Sequence, residues 1–274
     1  NMEPFVTRNP LNSCKINIKL LVQNLVGKKA LLSSDGIICI SNFVKDFLIK
    51  GLDIPKNKTT LIYHGISLDD SVPKKLRQLP NGFERDFIFT AGSIRPARGL
   101  EDLINAMALL KKNEINKKLL IAGSISNDAL GYGQYLKKLI NKKQLSDSVF
   151  FVGELEYPSM KWCYINADLF VMTSKVESFG IIALEAMANE CLIISSSAPC
   201  LPEVFGDSAT YYTPGDYNDL YKKIILIFNN NNFDKSSIKL RAKKRSELFS
   251  WDICAMRTVM FFNKILQNNY NNLN

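Results

Sequence analysis

The chain of 274 residues has one histidine, His64, and its six cysteines (Cys14, Cys39, Cys163, Cys191, Cys200 and Cys254) form no C-x-x-C pair. That scarcity leaves no cluster with metal-ligand spacing and no disulfide framework. The expectation is free thiols, several of them buried, in a reducing compartment. No apolar run approaches the roughly 18 residues that a membrane-spanning helix needs. No segment has the charged-then-apolar pattern of a secretion signal, so the expected location is the cytoplasm or the inner face of a membrane. An internal repeat of about 20–50 residues is also lacking, which sets aside solenoids and propellers. Without a basic–aromatic stripe or a known RNA or DNA module, nucleic acid is not an expected partner.

What is present is ordinary in amount and uneven in place. Hydrophobic residues make up 46% and charged residues 22%, which suits one large or two small globular domains. The net charge of +9 divides into +5 over residues 1–86, −1 over 87–230 and +5 over 231–274. A neutral centre between basic flanks fits a solvated, Lys-rich surface or a face turned toward anionic lipid head groups.

Residues 1–17 show little periodicity and read as irregular. Lys19 to Leu32 has a helical face of Leu21, Leu25, Lys28 and Leu32. Ile37 to Ile40 reads as a strand, Ser41-Asn42 as an N-cap for a helix Phe43 to Lys50, and Thr59 to Tyr63 as a second strand. Asp69 to Asp86, with Pro73 and Pro80, reads as a connector. Beyond it, short apolar runs at Phe87–Thr90, Leu119–Ala122, Val149–Val152, Leu169–Met172, Leu192–Ser195 and Ala209–Tyr212 alternate with helical patterns. That alternation predicts right-handed βαβ units and a parallel sheet with ligands at the strands' C-terminal edge. Asn229 to Asn232 is a polar break, and the tail from Asn268 is expected to fray.

The stretch around which the chain is organised is Glu177-Ser178-Phe179-Gly180-Ile181-Ile182-Ala183-Leu184-Glu185. It follows the apolar run Asp168 to Met172 and opens a helix with Ile181, Leu184 and Met187 at helical spacing. A strand, a glycine turn and a helix start aim free N–H groups beyond the strand end. Gly180, lacking a Cβ, is expected to let a phosphate approach the backbone. Eight residues of helix span at most roughly 12 Å, so Glu177 and Glu185 suit two carboxylates gripping hydroxyls on either side of a diphosphate. With Ala91-Gly92-Ser93-Ile94-Arg95-Pro96-Ala97-Arg98-Gly99, Leu119–Gly123, Phe151-Val152-Gly153 and Leu201-Pro202-Glu203-Val204 in order, the chain resembles the group 1 family of retaining glycosyltransferases with the GT-B fold. Glu177 and Glu185 match that family's E-x7-E motif, and the resemblance runs from about Asp35 to about Leu266.

The resemblance implies an α/β fold of two Rossmann-like domains. Residues 1–66 would be the C-terminal remnant of a truncated acceptor-side domain, 67–250 the donor-binding domain, and 251–274 a helix crossing back. The family's glycine-rich N-terminal loop has no counterpart, so a fragment or a naturally short form is expected. The implied substrate is a UDP- or GDP-sugar, the acceptor a glycan or lipid-linked sugar, and no cofactor or metal is expected.

The resemblance also assigns roles. Arg95 and Arg98 would clamp the diphosphate, with Arg98 standing where Lys is usual, although an isolated Arg pair also suits a surface loop. Glu177 would contact the donor sugar and Glu185 the ribose hydroxyls, each otherwise readable as a capping or surface residue. Gly92, Ser93 and the backbone of Ser178, Phe179, Gly180, Ile181 and Ile182 would line the donor, and Glu154-Leu155 the base. His64 is the acceptor-side candidate, lining the cleft rather than acting as a base. Glu190 stands at a usual glycine and should strain its turn, and Trp251 should anchor packing. The competing expectations are a nucleotide-sugar-binding module without transferase activity and, less favoured, a GT-B epimerase or phosphorylase.

Overall fold

The protein is described by a computed structural model over residues 2–5, 9–67, 70–76, 79, 83, 85–230 and 233–271. Parts of the expected connector (Asp69 and Pro80 among them), of the polar break (231–232) and of the tail (272–274) lie outside the described residues.

The first part of the chain forms a small unit. After a turn at Glu3–Phe5 comes helix α1 (Cys14–Ser33), then strand β1 (Ile37–Cys39), helix α2 (Asn42–Gly51) and strand β2 (Thr59–Leu61). β1 and β2 pair in parallel, with Ile38 opposite Thr60, and Ile37, Cys39, Leu48 and Ile54 make a small core. The sequence leaves residues 1–17 irregular, yet α1 starts at Cys14 because Ser13 caps it, its Oγ accepting from the Ile16 N–H. The face marked by periodicity is also not the buried one. Leu25 is 63% exposed and Leu21 49%, whereas Leu20 is buried. Periodicity identifies an apolar face but not what covers it.

The large unit is a six-stranded parallel sheet of β3 (Phe87–Ala91), β4 (Lys118–Ala122), β5 (Val149–Gly153), β6 (Ala167–Met172), β7 (Ile193–Ser196) and β8 (Thr210–Tyr212), in the order β5-β4-β3-β6-β7-β8. The inner strands β3, β4, β6 and β7 are buried on both faces, which is why the sequence shows continuous apolar runs there rather than alternation, while the edge strands β5 and β8 are only partly buried. Phe87, Phe89, Phe170 and Met172 enter one core, while Ile88, Leu169 and Val171 enter the other. Helices α3 (Leu100–Lys112), α4 (Leu130–Lys142) and α8 (Tyr217–Asn229) cover the second core; α5 (Tyr157–Asn166), α6 (Ile181–Ala188) and α7 (Leu201–Phe205) cover the first. Asp216 caps α8, accepting from the N–H groups of Asn218 and Asp219.

Helix α9 (Lys235–Ser246) is not marked in the sequence, because only Ala242 and Ser246 of its residues are buried and no apolar stripe results. Helix α10 (Trp251–Asn271) continues past Asn268, where fraying is expected. It returns to the small unit, setting Phe261 and Ile265 so close over Gly36 that a Cβ there would lie 2.6 and 2.8 Å from them.

Several contacts join the units, three of them around β2 and α2. The Ile66 N–H donates to the Phe249 carbonyl at 3.1 Å. Gly65 abuts the Trp251 backbone, where a Cβ would lie 2.0 Å from the Trp251 nitrogen. The Glu203 carboxylate accepts from the N–H groups of Asn42 (2.7 Å) and Phe43 (3.1 Å) and from the Tyr63 hydroxyl (2.8 Å). Glu203 therefore caps the start of α2 from across the seam, where an anion is favoured by the helix dipole.

Candidate functional site

β3 and β6 lie side by side although the chain visits β4 and β5 between them. The strand order reverses there, and such a reversal opens a crevice at the C-terminal edge of the sheet. The loop after β3 carries Gly92 to Arg98; the loop after β6 carries Thr173 to Gly180. The fold thus brings the arginine pair and the glutamate–glycine turn to one place.

Arg98 Nη1 donates to Glu177 Oε2 at 2.7 Å and to Ser174 Oγ at 3.0 Å. The other Glu177 oxygen accepts from the Ser178 N–H at 3.0 Å. Gly92 underlies the guanidinium. Its φ of +124° disfavours any side chain, and a Cβ would lie 3.3 Å from the Arg98 guanidinium carbon. Arg95 Nη1 meets Glu3 Oε2 at 2.7 Å. In both arginines Nε is buried without a partner, so each guanidinium keeps donor capacity that a further anion can use.

Gly180 sits at the start of α6 with φ +99°. A Cβ there would meet Phe205 at 2.8 Å and Leu201 at 3.0 Å. The structure adds a second reason for this glycine: its bare face accommodates a left-handed turn against α7. The N–H groups of Ile181 and Ile182 beside it lie in the first turn, where a helix has no acceptors for them, and so suit an anion. Phe179 is buried among the rings of Tyr63, His64 and Phe249, so only its backbone can face a ligand. Ile181 and Ile182 are half-buried against the core.

Glu185 lies one face further along α6 and accepts from the Tyr164 hydroxyl at 3.2 Å. Burial raises its carboxyl above the ordinary value, and the Tyr164 bond offsets this in part. His64 packs between Phe179 and Trp251, with ring centroids at 5.5 and 5.4 Å. Burial lowers its imidazole and so favours the neutral ring, and Nδ1 is buried without a partner. Trp251, expected as a packing anchor, packs at a tilt against His64 yet is 41% exposed.

Two cavities meet at Glu177. One of about 260 Å³ is lined by His64, Arg98 and the run Glu177 to Ile182. The other, of about 390 Å³, lies toward the small unit and is lined by Glu3, Asn9, Asn12, Lys175 and Glu177 among others. Gly92 and Ser93 line a slot beside Arg98. Exposed Glu154 and half-buried Leu155 follow β5, two strands from β3 and so about 10 Å along the same edge. Ser174 is buried, and Lys175 pairs with Glu101, so neither flank of the motif is freely solvated. Glu190 takes φ +58° at the end of α6, the strained turn expected where glycine is usual, and Lys243 pairs with it at 2.6 Å.

Sequence reasoning missed Glu3, Tyr164 and the docking role of Glu203. Glu3 lies in a stretch without periodicity, and Tyr164 looks like one more apolar position of α5. Glu203 stands in a recognised motif, but its partners on α2 are about 160 residues away in the chain. Among the described residues no group of three or more His, Cys, Asp or Glu side chains is placed to hold a metal, and no helix is long and apolar enough to cross a membrane.

A doubly wound parallel sheet with arginines, a helix start and carboxylates at its switch point defines a Rossmann-like unit of the GT-B glycosyltransferase type. The chain belongs to the family of glycosyl transferases group 1, whose model matches residues 72–245. It is 29% identical over 234 residues to an uncharacterized glycosyltransferase of Methanocaldococcus jannaschii, a match spanning 84% of this chain and 59% of the relative. It is 24% identical over 180 residues to the O-antigen chain mannosyltransferase RfbU of Salmonella typhimurium, spanning 66% and 47%. The chain thus spans about half the length of these curated relatives. Among solved structures it is similar to Anabaena HepE in complex with UDP-glucose, with a TM-score of 0.72, 18% identity, and coverage of 92% of this chain and 68% of that one.

Proposed function

We propose that this chain binds a UDP- or GDP-sugar at the β3–β6 crevice and transfers the sugar to an acceptor hydroxyl with its configuration retained. The observation that carries the reading is the convergence of Arg98, Glu177 and the start of α6 on one cavity. In the reaction the bond from the anomeric carbon to the phosphate oxygen breaks. The acceptor oxygen bonds to that carbon on the same face, and its proton passes to the departing diphosphate. Arg95, Arg98 and the first-turn N–H groups of α6 would neutralise the charge left on the leaving group, without a metal. Glu177 would then hold the sugar hydroxyls, and Glu185, steadied by Tyr164, the ribose. Glu154 and Leu155, farther along the edge, would face the base, and His64 would line the cleft as a neutral ring.

The named role of the Salmonella relative and the basic flanks support a glycan or lipid-linked acceptor at an anionic membrane surface. The basic run on α9 contributes less than its sequence suggests. Arg241 pairs with Asp207, Lys243 with Glu190, and Arg245 donates to the carbonyls of Glu203 and Val204. The second reading is a nucleotide-sugar-binding module without transfer.

Calorimetric titration with UDP, GDP and their sugar conjugates, without added metal, tests the donor site. One nucleotide should bind, and Arg98→Ala or Glu185→Ala should weaken it about ten- to a hundredfold, as expected for one charge-assisted contact. Unchanged affinity in both variants would remove the proposed site. Donor hydrolysis or transfer by the wild type separates the enzyme from the module.

A further inference from the structure

Glu3 belongs to no motif, yet its carboxylate is placed on an arginine assigned above to the donor diphosphate. The Glu3 side chain is 11% exposed and meets Arg95 Nη1 at 2.7 Å. The preceding residue reaches the other loop of the crevice, the Met2 N–H donating to Ser178 Oγ at 3.3 Å. The turn at Glu3–Phe5 is therefore laid across both loops of the switch point. It is held there from the small unit. The Pro4 carbonyl accepts from Asn24 Nδ2 at 2.9 Å, and the Phe5 ring lies against Gly27 and 6.0 Å from the Phe47 ring.

Charge arithmetic gives the contact a meaning. Arg95 faces Glu3 and Arg98 faces Glu177, so two guanidiniums are matched by two carboxylates, one supplied by each unit. A diphosphate presents a similar anionic charge to the same pair. Both cannot be fully engaged by carboxylates and phosphate at once without crowding like charges.

We propose that Glu3 holds the place of the donor diphosphate on Arg95 and is exchanged for it when the nucleotide sugar binds. This rests on the donor site described above and adds a residue of opposite effect to it. The released carboxylate faces the cavity of about 390 Å³ that it lines together with Asn12 and Glu177. The Asn12 Oδ1 there is buried without a partner. Two acceptor groups converging on one cavity suit the hydroxyls of a sugar acceptor, which donate hydrogen bonds. Donor arrival would thus ready the acceptor side, and Glu3 is a positioning residue that links the two.

The test is a double-mutant cycle on nucleotide affinity, read by calorimetry with whichever of UDP and GDP the wild type binds. Glu3→Gln should tighten binding about three- to tenfold, since a competing partly buried carboxylate is removed. Glu3→Ala should change affinity in the same direction, which guards against an effect particular to the amide. Arg95→Ala should weaken binding, and adding Glu3→Gln to it should change affinity less than about twofold, because the competition has lost its object. Unchanged or weaker binding by both Glu3 variants, with Arg98→Ala still weakening it, would overturn the exchange while leaving the donor site standing. Failure of the wild type to bind either nucleotide would overturn both.

Discussion

The two units of this protein are built from the same βαβ parts but are held together in different ways. In the large unit the sheet is covered on both faces, and Leu103, Ile104, Leu120 and Leu169 are essentially inaccessible. Fully burying side chains of this size stabilises by about 1.5–3 kcal/mol each relative to leaving them exposed. In the small unit two strands share a core of four buried residues, and the outward faces of α1 and α10 leave Val26 and Met260 each 63% exposed. Core burial sustains the first, whereas the second depends on its seam with the first. Glu203, the Gly65–Trp251 contact and the Ile66–Phe249 bond belong to that seam, as does the Glu3–Arg95 pair, and the crevice lies beside it.

The sharpest way to break this comparison is Gly180→Ala, which acts inside the large unit. A left-handed alanine costs about 1–2 kcal/mol, and crowding of Phe205 adds roughly 1–3. Thermal unfolding should show a loss of about 3 kcal/mol, with reduced nucleotide binding from a displaced α6. Glu203→Ala should cost less, about 2 kcal/mol, because it removes the acceptor of the Asn42 and Phe43 N–H groups and the Tyr63 partner, leaving Ser41 as the cap of α2. Its signature is location: amide exchange should quicken across residues 37–66 while β3, β4 and β6 stay protected. Equal quickening in both units would contradict the division drawn here.

Glu185→Gln separates stability from function within the large unit. Burial raises the Glu185 carboxyl in the folded state, so the native protein is favoured while this group is protonated and loses that advantage as pH rises through the raised value. The variant should melt about 1–3 °C higher at neutral pH, converge with the wild type below about pH 4, and bind nucleotide more weakly. A variant less stable than wild type at pH 7 would show that the Tyr164 bond outweighs burial. Smallest of all, Glu190→Gly relieves a left-handed glutamate at the loss of its exposed pair with Lys243, and should stabilise by about 0.5 kcal/mol in denaturant titration.

The same contrast explains what could be read from the sequence. The inner strands β3, β4, β6 and β7 were legible because strands buried on both sides leave unbroken apolar runs, and the Arg95–Arg98 and Glu177–Glu185 stretches because each follows such a run. Arg98 and the glutamate turn line one cavity, in keeping with their places after β3 and β6, whereas Arg95 is paired with Glu3. The start of α1 was not legible, since a serine cap decides it, and neither was α9, which buries only small residues. Glu3 stayed hidden for a different reason. Its meaning comes from Arg95, and nothing local in residues 2–5 points to an arginine more than ninety positions away.

The central claim is that the nucleotide binds where β3 and β6 diverge. Hydrogen–deuterium exchange of the chain with and without UDP or GDP tests it most directly. The account predicts added protection at residues 92–99 and 178–185, with exchange at residues 2–5 quickened as Glu3 leaves Arg95. Protection confined to other edges of the sheet, with these segments unchanged in the presence of a bound nucleotide, would contradict it.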